Sequence, residues 1–95
     1  MYMQWNYIAL ERFSFRLKIL MYLHNEDNKS LAKLLNCKLV RISNFRSCAA
    51  APKDNEVKIL AEHYNVPINF MCGDSTLMLI TEDRGGNRNL IYKDV

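Results

Sequence analysis

The sequence predicts an all-α domain of five short helices followed by a short C-terminal β-hairpin. Three observations lead there. Apolar residues recur at three- and four-residue spacing from Phe13 to Met71. Asparagines and prolines cut that pattern into short pieces. After Gly73 the period changes to two compact apolar runs flanking Gly85-Gly86.

Each element has its own signals. Phe13, Leu17, Leu20 and Met21 fall at i, i+4, i+7 and i+8, one face of a first helix ending near His24–Asn25. Asp27 is a good N-cap for a second helix with Leu31, Ala32 and Leu35 inward. Asn36, tolerant of left-handed dihedrals, stops it. Lys38–Ser47 reads as a third helix with Ile42 and Phe45 inward, and Ala49–Pro52 as a connector, because the residue before a proline avoids helical dihedrals. Asp54 is expected to cap a fourth helix whose stripe is Val57, Leu60, Ala61 and Tyr64, closed by Asn65. Pro67 starts a fifth, short helix ending at Gly73, with Ile68 and Met71 as its core contacts. Thr76–Thr81 and Asn89–Lys93 then read as strands joined by Glu82–Asn87. The chain divides into an N-terminal extension (1–12), a domain (13–74) and the hairpin (75–95). Tyr2, Trp5, Tyr7 and Ile8 leave open whether the extension lengthens the first helix or packs on the hairpin.

Ninety-five residues, 49% apolar and 24% charged, suit one ordinary globular domain and exclude collagen-like, mucin-like and wholly disordered chains. No apolar run approaches the ~18 residues of a membrane span. Met1–Leu10 lacks a basic start and a small-residue cleavage site, so no signal peptide is expected. Cys37, Cys48 and Cys72 are odd in number and widely spaced, which predicts reduced thiols in a cytoplasmic protein and no metal site. His24 and His63 stand alone in sequence and read as surface or boundary residues. No nucleophile, base and oxyanion-hole spacing is present, so neither an enzyme nor a cofactor is expected.

The charge distribution is more informative than the net charge of +3. From Asn28 to Lys53 there is no acidic residue, while Lys29, Lys33, Lys38, Arg41, Arg46 and Lys53 are all cationic. A one-signed block in a nearly balanced chain is the footprint of a polyanion-binding face. A solvated basic surface is the competing reading. Two short helices joined by a tight turn within that block suggest helix-turn-helix, with Ala32 small where the helices approach.

At Phe13–Asp74 the chain resembles the lambda-repressor-like, Cro/C-repressor (XRE-type) helix-turn-helix family. The matching residues are Phe13, Leu17 and Leu20, then Leu31-Ala32, Ile42-Ser43, Pro52, Leu60-Ala61, Val66, Ile68 and Met71. The resemblance implies that Asn28 meets a backbone phosphate. It places Lys38, Leu39, Val40, Ser43 and Asn44 toward the major groove, and Arg46, Ser47 and Lys53 beside flanking phosphates. Asn44 suits adenine, and Lys38 or Arg41 suits guanine or phosphate; Leu39 and Val40 can read only thymine methyls. Two departures stand out: Cys48 takes the place of a customary positive-φ glycine, which implies a differently shaped loop, and Arg46 replaces a common acidic residue.

The implied function is a bacterial, nucleoid-associated regulator of phage or prophage type. It is expected to act as a repressor, binding a palindromic operator in double-stranded DNA as a homodimer. The hairpin is the expected dimerising device, through Leu77, Leu79, Leu90 or Tyr92, joined by Phe70. The residues after Gly73 are too few for a self-cleaving peptidase domain, so relief by an antirepressor, concentration or competition is expected. The alternative is a protein-interaction module on the same fold, an antitoxin or an inhibitor, favoured by Leu39-Val40 and the apolar N-terminus.

Overall fold

The computed structural model describes residues 5–71 and, of 77–82 and 88–93, the backbone alone. The body is all-α: α1 (Tyr7–Leu23), α2 (Asn28–Leu35), α3 (Leu39–Arg46), α4 (Asp54–Tyr64) and α5 (Ile68–Met71). The side chains of Leu77, Leu79, Leu90 and Tyr92 lie outside the described residues, as do Tyr2 and Cys72, and the fold established is the five-helix body alone.

α1 starts earlier than expected. The Asn6 side chain accepts the Ala9 N–H at 2.8 Å, capping a helix that runs unbroken from Tyr7 through the boundary expected after residue 12. Trp5 meets the Phe13 ring edge-on, with centroids 5.3 Å apart, and Leu10 packs against the core. Residues 7–12 are thus the first turns of α1 rather than a separate extension.

The first four helices end in the same way. Asn25, Asn36, Cys48 and Asn65 adopt φ of 54°, 52°, 63° and 55°. The residue after each donates its N–H back to a carbonyl five positions earlier: Glu26 to Met21 (2.9 Å), Cys37 to Ala32 (3.0 Å), Ala49 to Asn44 (2.8 Å) and Val66 to Ala61 (2.9 Å). This closure satisfies the last helical carbonyls and reverses the chain within three residues. Asparagine tolerates the left-handed region, but cysteine at Cys48 carries the steric cost of its Cβ there. The loop after α3 therefore keeps the left-handed conformation that a glycine would supply, rather than the different shape expected.

The helices enclose one core: Phe13, Leu17 and Leu20 from α1, Leu31 and Leu35 from α2, Ile42 and Phe45 from α3, Val57 and Leu60 from α4, and Phe70 and Met71 from α5. Phe13 and Phe45 meet edge to face at 5.7 Å, locking α1 to α3. Two buried polar side chains of α1 tie the ends of other helices. Ser14 Oγ donates to the Arg46 carbonyl at 2.7 Å, and Arg16 Nη1 to the Phe70 carbonyl at 2.7 Å. Both recover carbonyls that a helix end leaves unpaired.

Three expectations are corrected here. Phe70, expected at a dimer interface, is fully buried beneath the Arg16 guanidinium, which lies 4.8 Å from its ring centroid. A ring with no exposed surface has none to offer a partner. Ile68, expected in the core, is 40% exposed. α5 is a single turn, and it turns Phe70 inward in place of Ile68, together with Met71 as expected. At α4 the N-cap is Lys53 rather than Asp54, and its N–H donates to Glu56 Oε1 at 2.8 Å.

Candidate nucleic-acid interface

α2 and α3 are joined by three residues. Asn36 reverses the chain, Cys37 packs half-buried against the core, and Lys38 is the N-cap of α3. Burial lifts the Cys37 thiol above its ordinary pKa. Ala32 is buried on the inner face of α2, as its small size requires where α2 meets α3. Ile42 and Phe45 anchor α3 from below, which turns Leu39, Val40, Ser43 and Ser47 outward and leaves Asn44 half-buried on their flank.

Three of the expected contact residues form a connected polar group. Arg46 Nη1 donates to Asn28 Oδ1 at 2.8 Å, and Asn28 Nδ2 donates to Ser43 Oγ at 3.3 Å. The start of α2 is thereby held against the outer face of α3. Asp27 sets that start: its carboxylate accepts the Ser30 N–H at 2.9 Å, and this bond holds its pKa below the ordinary value. Ser47 Oγ donates to the Asn44 carbonyl at 3.3 Å. Lys38 and Lys53 are exposed at the N-caps of α3 and α4.

Arg41 is placed differently. Its Nε donates to Glu56 Oε2 at 2.8 Å and its Nη2 to Glu56 Oε1, a two-pronged ion pair with Glu56 8% exposed. The guanidinium also lies 4.9 Å from the Phe45 ring centroid. Hydrogen bonding from Arg41 pulls the Glu56 carboxyl below its ordinary pKa, and Glu56 raises that of Arg41 in return. Arg41 is engaged in joining α3 to α4, which leaves Lys29, Lys33, Lys38, Arg46 and Lys53 as the cations of the acid-free block. Glu56 was not singled out in the sequence, because it is the third residue after the observed N-cap Lys53 and not after the expected Asp54. Nor was its pairing with Arg41.

Leu39 and Val40 are 47% and 60% exposed at the first turn of α3. They make an apolar spot at the edge of a cationic face. Around the start of α2 and the end of α4, the histidines that stand alone in sequence come together. His63 Nε2 lies 2.8 Å from Glu26 Oε2, and the His24 ring centroid is 6.4 Å from that of His63. Tyr64 closes this group, its phenol pushed well above the ordinary range by burial and by Glu26. Among the described residues no set of three or more His, Cys, Asp or Glu side chains could hold a metal ion. No described helix is long and apolar enough to cross a membrane.

Comparison with known protein families, with curated proteins and with solved structures gives no match for this chain.

Proposed function

We propose that the protein is a sequence-specific DNA-binding regulator of the lambda-repressor-like kind, acting from the cytoplasm as a repressor. One observation carries this reading. Two short helices at a three-residue turn present the outer face of α3 from inside a block without acidic residues, which keeps five cations besides the Glu56-paired Arg41. Lys38, Ser43 and Asn44 are the base-edge candidates. The candidates for flanking phosphates are Ser47, Lys53 and Arg46, whose guanidinium is held by Asn28. Leu39 and Val40 contact thymine methyls.

A palindromic operator calls for a homodimer. The backbone of Leu77–Glu82 runs antiparallel to that of Arg88–Lys93, with Leu77 opposite Lys93 and Glu82 opposite Arg88. In this reading residues 76–93 are the dimerising hairpin, with Leu77, Leu79, Leu90 and Tyr92 as contacts and without Phe70.

The test is selection from a random DNA library, followed by affinity against salt. The expected results are an enriched inverted repeat and a log–log slope steeper than about −5, as six or more phosphate contacts give. Weak binding with no enriched sequence overturns the proposal. The exposed Leu39–Val40 pair favours a second reading, a protein-interaction module, an antitoxin or an inhibitor, that grips another protein by this face.

A further inference from the structure

The helix that closes the domain is apolar on two sides. Phe13, Leu17 and Leu20 face the core, while Ile8, Phe15 and Tyr22, each seven residues apart, are 60%, 59% and 64% exposed. Half-buried Ile19 widens this outer stripe, which runs about 21 Å along α1 at 1.5 Å per residue. Isolated exposed apolar residues need no explanation, but an aligned stripe on the longest helix does.

The charges beside the stripe indicate what covers it. At 100° per residue, Glu11 and Lys18 lie on the same flank, on either side of Phe15. Neither makes an ion pair among the described residues. A two-fold axis perpendicular to a pair of antiparallel helices brings a flank against the same flank of its copy. With Phe15 at the axis, Glu11 of one α1 comes opposite Lys18 of the other, and Lys18 opposite Glu11. Ile8 then meets the ring of Tyr22, and Phe15 meets Phe15.

We propose that the outer stripe of α1 is a self-association surface, pairing antiparallel with the α1 of a second copy through Ile8 and Phe15, with two reciprocal Glu11–Lys18 ion pairs setting the register. It is separate from the DNA-facing side of α3 and does not depend on what α3 binds. A single pair of helices buries less than a standard interface, so the association belongs in the micromolar range or weaker. On its own it makes a dimer; alongside a second two-fold contact elsewhere it would link dimers into tetramers.

The test is sedimentation equilibrium of the full chain over a wide concentration range, with melting temperature followed in parallel. Phe15→Glu, on an exposed site, is expected to weaken association at least about tenfold without lowering the melting temperature. Glu11→Lys and Lys18→Glu are each expected to weaken it, and the double exchange to restore it. The two residues are about 10 Å apart along one helix, so only a partner's charge can produce that rescue. A wild-type chain that stays monomeric throughout, or an association indifferent to Phe15→Glu and to the charge exchange, overturns the proposal. Phe15→Glu lowering the melting temperature without changing association also overturns it, because the chain's own C-terminal residues would then be what covers the stripe.

Discussion

Arg41 and Glu56 bind each other through both nitrogen–oxygen contacts of a two-pronged pair, and this joins the outer helix α3 to α4. The same carboxylate accepts the Lys53 N–H at the start of α4. One acidic side chain therefore both caps α4 and holds the helix that faces the proposed ligand. Removing either partner would leave a mostly buried charge without compensation. Arg41→Ala and Glu56→Gln are each expected to lower stability by about 2 kcal/mol in urea unfolding. An unchanged midpoint for both would show that the pair is solvated rather than structural.

The same pair makes the domain acid-sensitive. The folded-state pKa of Glu56 is depressed below its ordinary value of 4.5, so its contribution is present above that pH and is lost as pH falls through the lowered folded value. Asp27, depressed by its cap to Ser30, works in the same direction. The melting temperature of the wild type is expected to fall on acidification below about pH 4.5, and more steeply than that of Glu56→Gln. Parallel melting curves against pH for the two proteins would remove Glu56 from the explanation.

Among the described residues, Cys48 is the one left-handed helix-end residue that is not asparagine. Cys48→Gly removes the Cβ conflict and is expected to stabilise by up to about 1 kcal/mol, the steric gain being partly offset by the greater freedom of glycine in the unfolded chain. Thermal or denaturant unfolding measures it. A loss of stability would mean that the half-buried thiol contributes more packing than its backbone costs.

Phe70 and Ile68 test which side of α5 faces inward. Phe70→Ala empties a fully buried site and loses the surface on which Arg16 stacks, at an expected ~3–5 kcal/mol. Ile68→Ala, at a 40% exposed position, is expected to cost under about 1 kcal/mol. Comparable costs at both positions would contradict the placement of the helix.

If α3 meets DNA as proposed, Lys53→Ala, at a flanking phosphate, should weaken binding to all sequences alike and make the salt slope shallower by about 1. Asn44→Ala should cost ~1–3 kcal/mol at one base pair and relax specificity there. Binding titrations on the selected site and on scrambled DNA separate the two. Arg41 is no substitute for either residue, since its loss acts on the fold.

Much of this domain is written in local sequence. Helix order follows from apolar spacing, and three of the four reversals follow from Asn25, Asn36 and Asn65, because a left-handed asparagine needs only its own short side chain to be tolerable. Asp27 before α2 and the acid-free stretch to Lys53 are equally local. What needed the tertiary structure were the relations between residues far apart in sequence. A cation in a basic block looks the same whether it faces solvent or a carboxylate fifteen residues away, so Arg41 could not be told from Lys38 until α4 was packed against α3. Phe70 and Ile68 are apolar neighbours on a single turn, too short for periodicity to choose between them, and the choice was made by the Arg16 guanidinium and the space left by α1. Local sequence determines where this chain bends; which face each segment turns inward, when two faces are equally apolar, is decided by the partners that the fold brings to it.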